Sequence, residues 1–78
     1  MSTWNCRVLV RKYHNSIYFS VHEVYYNEQG VADSYTAEPT RIGGETIEDV
    51  KEYLLKINTA IEKPILWAGD KFPQEYKP

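Results

Sequence analysis

Apolar and polar positions alternate along the first third of the chain. In "TWNCRVLVRKY", Trp4, Cys6, Val8 and Val10 alternate with Asn5, Arg7, Leu9 and Arg11, the period of two that marks a strand with one covered face. The short polar "HNS" at 14–16 suits a hairpin connection into "IYFSVHEVYYN". There Ile17, Phe19 and Val21 share one side, and Tyr18, Ser20, His22, Val24 and Tyr26 the other. "NEQG" at 27–30 predicts a turn, with Gly30 taking the left-handed position that ends it. A weaker third strand follows in "VADSYTAE", its apolar side drawn by Val31, Tyr35 and Ala37, and Pro39 stops it.

Beyond "PTRIGGE" the period changes. Ile47, Val50, Leu54, Ile57 and Ile61 recur at steps of three and four, with Tyr53 and Leu55 beside the stripe. Thr46 followed three residues on by Asp49 is a helix-capping pattern, and Glu45, Glu48 and Asp49 lie where the helix dipole favours negative charge. A helix is predicted from about Thr46 to about Lys63, because Pro64 disfavours a helical residue before it. In the tail, Ile65 to Trp67 either pack on the domain edge or pair as a short extra strand.

Together these elements predict an α+β domain of two layers in the order β-β-β-α. One C-terminal helix covers one face of a three-stranded antiparallel meander. Its core rows are Cys6, Val8, Val10 and Ile17, Phe19, Val21. Glu23 falls on this apolar side by strict alternation, which predicts either a strand end or a bulge there. Residues 1–72 form the predicted domain and 73–78 a mobile tail. With 78 residues and 42% apolar content, the chain builds one small core, and a partner subunit would add to its stability.

The formal charge of −2 provides no global field for a polyphosphate. Cys6 is the one cysteine, which rules out an intramolecular disulfide, and it matches no zinc spacing with His14 and His22. The N-terminus lacks a secretory pattern and no apolar run spans a membrane, so the expected location is cytoplasmic, without membrane contact. No cofactor or metal site is expected. His22 and Glu23, adjacent on a strand, point to opposite faces and do not form an acid–base pair. Gly43-Gly44 lacks the phosphate-loop pattern. A non-catalytic protein is the expectation.

The face away from the helix is predicted to carry Arg7, Leu9, Arg11, Tyr18, His22, Tyr26, Ser34 and Thr36. Tyr and Arg are enriched where protein meets protein. The expected function is therefore an interaction module binding a protein partner, or a second copy as a homodimer, through this face or an exposed edge strand. Its candidate binding residues are Arg7, Arg11, Tyr18, His22 and Tyr26. The alternative use of the same basic and aromatic face is single-stranded nucleic-acid binding. Such residues are also ordinary for the wet side of an antiparallel sheet.

The segments "WNCRVLVRKY", "YFSVHEVYYNEQG" and "GETIEDVKEYLLKINTAIEKPIL" resemble a group of small uncharacterised bacterial proteins sharing W-N-x-R-V, H-E-V-Y-Y and a G-E-T helix start. That resemblance implies no activity. "GGETIEDVKEYL" at 43–54 is also similar to the helix start of HicB-type antitoxins and partial RNase H-like domains, which implies an antitoxin-like regulator as a second alternative. The chain lacks that family's "PGC"-like stretch in the third strand, and no site residue is carried over.

Overall fold

A computed structural model describes residues 3–77. Strand β1 (Thr3–Tyr13) turns back into β2 (Ser16–Tyr26), the two pairing antiparallel along their whole length with Tyr13 opposite Ser16. A two-residue loop this tight needs a left-handed residue, and His14 takes that role at φ 50°. The second turn follows the Asn-to-Gly pattern. Gly30 has φ 78° and its N–H donates to the Asn27 carbonyl at 2.9 Å, while the Asn27 side-chain oxygen accepts from the N–H groups of Gln29 and Val31.

Strand β3 is shorter than its sequence suggests, Ala32–Tyr35. Its register slips between Tyr25 and Tyr26: Tyr25 pairs with Ser34 but Tyr26 with Ala32, leaving Asp33 as the extra residue of a bulge. The slip corrects the expected sidedness of this strand. Tyr35 lies opposite Val24 on the face away from the helix, whereas Ser34 lies opposite Tyr25 on the helix side.

Helix α1 (Ile47–Ile61) begins as predicted, with the Thr46 hydroxyl accepting from the Asp49 N–H at 3.2 Å. The Asp49 carboxylate in turn accepts from the Glu45 N–H. Gly44 lies so close that a Cβ there would collide with the Asp49 side chain, which is the local reason for a glycine before the cap. The helix lies over β1.

Its buried face differs from the predicted stripe. Ala60 is fully buried and Val50, Tyr53 and Ile57 are half-buried, while Ile47, Leu54, Leu55 and Ile61 are exposed. At about 100° per residue the helix is rolled by roughly a sixth of a turn from the predicted stripe. Two residues account for the roll. Ala60 lets the helix backbone approach the sheet, and Tyr53 points inward so that its hydroxyl reaches Glu23.

After the helix, β4 (Leu66–Trp67) adds to the outer side of β1, with Leu66 opposite Leu9 and Trp67 opposite Val10. This pairing is parallel. The sheet is therefore mixed, in the order β3-β2-β1-β4, and the three-stranded meander forms three of its four strands. The protein is α+β, with one helix layered on a curled sheet.

Gln74 and Tyr76, in the segment that the sequence places in the tail, are bonded to the residues around β4. The Trp67 N–H donates to the Gln74 carbonyl at 2.8 Å and the Tyr76 N–H to the Ile65 carbonyl at 2.7 Å. The Tyr76 ring then meets Phe19 at 5.7 Å and Trp67 at 5.4 Å, both edge-on. Aromatic packing and two backbone bonds attach this segment to the domain. Pro78 lies outside the described residues.

The tail has a second effect. Around a 3-10 turn at Gly69–Lys71, Ala68 and Phe72 fold over the face opposite the helix. There Leu9, Val24 and Leu66 form a buried cluster packed by Tyr26, Ala32, Tyr35, Ala68 and Phe72. Each face of the sheet thus has its own apolar layer. Among the described residues, no helix is long and apolar enough to cross a membrane.

Candidate functional site

The five sequence-predicted binding residues share one face, as their strand parity requires: Arg7 lies opposite His22 and Arg11 opposite Tyr18. What covers that face divides them. His22 is only 6% exposed. Its Nδ1–H donates to the Thr36 carbonyl at 2.9 Å, and Nε2 shares a hydrogen bond with the Ser20 hydroxyl at 2.9 Å. The Tyr35 ring stands edge-on to the imidazole. Both ring nitrogens are engaged, Nδ1 in holding the segment after β3 to β2 and Nε2 with a neighbour on β2 itself.

Arg7 is engaged in the same way. Its guanidinium donates to the Tyr26 hydroxyl at 2.9 Å and to the Pro64 carbonyl at 2.8 Å, and Tyr26 donates onward to Asn5 at 2.8 Å. These bonds tie the end of the helical segment to the sheet. Arg11, although exposed, donates to the Tyr35 hydroxyl at 3.3 Å, which also accepts from the Gly69 N–H at 2.8 Å. Tyr18 is 58% exposed. The sheet face predicted as open is therefore closed over Arg7, His22 and Tyr26, because the tail supplies Leu66, Ala68 and Phe72 to it. Arg11 and Tyr18 remain at its rim.

The rim adjoins an edge. On the outer side of β2, the Glu23 carbonyl accepts from the Thr36 N–H at 3.1 Å and the Val21 carbonyl from the Thr40 N–H at 2.7 Å. Backbone groups on a strand alternate in direction. Phe19 and Ile17, two and four residues before Val21, therefore aim their N–H and C=O groups to the same outer side. Among the described residues no strand accompanies β2 there, since β3 pairs only with Val24 to Tyr26. Ile17, Tyr18 and Phe19 are 45, 58 and 44% exposed. Ser16 to Ser20 is an unpaired edge with apolar side chains on both faces.

A second cluster lies under the helix. Glu23, opposite Cys6 on the helix side, accepts from the Tyr25 hydroxyl at 2.8 Å and the Tyr53 hydroxyl at 2.9 Å. It is neither at a strand end nor in a bulge, the two predicted accounts of a carboxylate in an apolar row. Its oxygens are satisfied by two phenols, one brought by the helix. The hydrogen bond to Glu23 pushes both phenols above their ordinary value, aided by burial and the carboxylate's charge. Burial first, and Glu23 second, push the Cys6 thiol up, against smaller opposing effects of Lys56 and Thr40. A thiol held protonated is a poor nucleophile.

Beside this cluster a cleft of about 430 Å³ is lined by Trp4, Gly44, Asp49, Glu52, Tyr53 and Lys56, among others. The Lys56 ammonium lies 4.5 Å from the Trp4 ring centroid, within cation–π range. His22 and Glu23 lie on opposite faces of the sheet, each with its own partners. Among the described residues no group of three or more His, Cys, Asp or Glu side chains is placed to hold a metal ion.

Comparison with family models, curated proteins and solved structures returns no match. The chemistry of the site is therefore read from its own residues. Sequence pattern pointed to Tyr18 and Arg11, which remain accessible, but did not single out Ile17 and Phe19 as edge residues. The available signal was length: β2 is eleven residues, whereas the weak third strand could not accompany all of it.

Proposed function

We propose that this protein is an interaction module that takes an extended segment of a protein partner onto the open edge of β2. One observation carries the reading: the outward backbone groups of Ile17 and Phe19 continue the line of those that bind Thr36 and Thr40 but have no strand of their own. Added strands gain affinity from main-chain hydrogen bonds and selectivity from alternate side chains. Here an incoming segment would meet Tyr18 and Arg11 on one face and Ile17 and Phe19 on the other. Exposed apolar edges promote aggregation unless they are short or used, and this one is flanked by Arg11 and Lys12 across the hairpin.

Nucleic-acid binding by the sheet face receives less support. It calls for free guanidinium groups and stackable rings, whereas Arg7 and Tyr26 are bonded to each other and Phe72 packs over Tyr35.

The test is selection of peptides from a random display library on the immobilised protein, followed by affinity measurement against the Ile17→Pro variant. Proline at 17 removes an outward N–H while leaving the β1–β2 ladder intact. The selected peptides should bind it at least about tenfold more weakly, the worth of one or two backbone hydrogen bonds. On the wild type, binding should slow hydrogen exchange at the Ile17 and Phe19 amides. Peptides indifferent to the proline, protecting amides elsewhere, would reject the edge as the docking site.

A further inference from the structure

The open part of β2 is symmetric. One end is set by the turn, where His14 and Asn15 leave the sheet, and the other by Thr40, whose N–H donates to the Val21 carbonyl at 2.7 Å. Between these limits the outward N–H and C=O groups belong to Ile17 and Phe19, one on each side of Tyr18. The side chains repeat that symmetry. Ser16-Ile17-Tyr18-Phe19-Ser20 reads serine, apolar, tyrosine, apolar, serine in either direction, so the edge complements itself when a second strand runs antiparallel.

The register follows from the hydrogen bonds. Antiparallel strands join outward-facing residues in pairs that exchange two bonds, so only residues 17 and 19, and 15 or 21 beyond them, can face one another in this way. Ile17 against Ile17 sets Phe19 against the turn residue Asn15. Phe19 against Phe19 sets Ile17 against Val21, whose carbonyl already accepts from Thr40. Ile17 against Phe19, taken twice, uses every outward group of both residues in four hydrogen bonds and calls on no others.

We infer, on the footing that the β2 edge docks a strand, that its occupant is a second copy of this chain, the two β2 strands pairing antiparallel across a two-fold axis at Tyr18. The contact is isologous and joins two four-stranded sheets edge to edge. On the helix side Ile17 of each copy lies opposite Phe19 of the other, an aromatic and β-branched pairing that stabilises antiparallel strands. On the opposite side the two Tyr18 residues meet at a non-hydrogen-bonded position, where side chains are closest. The incoming strand ends with its Ser16 opposite Ser20, short of the Val21 carbonyl that Thr40 holds. A foreign segment requires neither free groups centred on one residue nor mirrored side chains; a second copy requires both.

Charge permits the approach. An edge kept from self-association carries charge on the strand itself, and none of residues 16–20 is charged. Arg11, opposite Tyr18 on β1, is three strand spacings from its counterpart, about 14 Å, beyond the screening length of about 8 Å at physiological salt.

Five residues of edge bury less than the roughly 800 Å² per partner of a standard interface, so the dimer is weak and reversible. The experiment is sedimentation equilibrium of the full chain from about 10 µM to 1 mM, with Tyr18→Lys and Tyr18→Glu variants run alone and mixed. The wild type should pass from the chain mass toward twice that mass over this range. Tyr18 is 58% exposed, so both variants keep the fold, but each sets like charges directly opposite at the axis and should raise Kd at least about tenfold. An equimolar mixture should dimerise at least about tenfold more tightly than either alone, because opposite charges then meet. Ile17→Pro should be monomeric throughout, and amide exchange at Ile17 and Phe19 should slow as the wild type is concentrated. A wild type that is monomeric at about 1 mM yet binds display-selected peptides at Ile17 and Phe19 overturns self-pairing and leaves strand docking in place; one that binds no peptide there overturns both. A dimer that survives Ile17→Pro, or a mixture no tighter than the single variants, also overturns the inference.

Discussion

The bond between Tyr53 and Glu23 ties the helix to the sheet, and a double-mutant cycle measures it. Glu23 is half-buried opposite Cys6, its carboxylate accepting from Tyr53 at 2.9 Å and from Tyr25 at 2.8 Å. Hydrogen bonds to a charged acceptor contribute about 1.5–3 kcal/mol each. Partial exposure of this cluster places the Tyr53 bond at the lower end, near 1.5 kcal/mol. Tyr53→Phe removes the donor alone, and Glu23→Gln removes the charge while keeping one acceptor. Each should lose about 1–1.5 kcal/mol, and the double variant should fall short of their sum by about 1 kcal/mol. With a urea slope near 1 kcal/mol/M for so small a chain, Tyr53→Phe lowers the unfolding midpoint by about 1 M. Tyr25→Phe is the control: Tyr25 and Glu23 are two apart on one strand, so their bond forms without the helix and contributes less. A coupling below about 0.3 kcal/mol between positions 23 and 53, the level seen for independent sites, would refute the assignment of the helix's orientation to this bond.

Two further outcomes follow from the packing. Phe72→Ala removes a half-buried ring 4.7 Å from Tyr35; it should cost about 2 kcal/mol in urea unfolding, less than a fully buried phenylalanine, and speed hydrogen exchange around His22. A cost under about 0.5 kcal/mol, the range of an ordinary surface change, would mean that the tail does not close the sheet face. The pH dependence has a definite sign: Tyr25 and Tyr53 have folded values raised by their bonds to Glu23, so their stabilising contribution is full below the unfolded tyrosine value of about 10 and is lost as pH rises through the folded value. Stability should fall above about pH 10 more steeply in the wild type than in the Tyr25→Phe, Tyr53→Phe variant, and parallel curves would exclude the effect.

Local pattern carried the strands, both turns and the helix start because each rests on neighbouring residues: alternation in β1 and β2, Asn27 with Gly30, Thr46 with Asp49. The orientation of the helix was not legible in the same way. Its most apolar stripe passes through Leu54, yet the docked face centres on Tyr53, Ile57 and Ala60, and only the pairing partner of Glu23 explains why a tyrosine is preferred there. Likewise, the face carrying Arg7, His22 and Tyr26 looks wet from β1 and β2 alone. It is dry because Leu66 and Phe72, more than forty positions further on than His22, fold over it, and no periodicity within the strands records that contact. The bulge at Asp33 hid the sidedness of β3 for a related reason, since one extra residue exchanges the faces of everything beyond it.

The exposed apolar stripe of the helix has a physical origin in the Tyr53–Glu23 bond. An apolar residue at position 23 would remove the acceptor that Tyr53 reaches, and with it the bond that turns Tyr53 rather than Leu54 toward the sheet. The half-buried carboxylate favours keeping its hydrogen bonds, and Tyr53 supplies one with the helix turned and lying over β1. That orientation leaves Leu54, Leu55 and Ile61 exposed, while Ile17 and Phe19 are exposed separately at the β2 edge, where the Tyr76 ring packs on Phe19. A single half-buried carboxylate in an apolar row thus goes with a helix docked through Tyr53, Ile57 and Ala60 in place of its most apolar stripe.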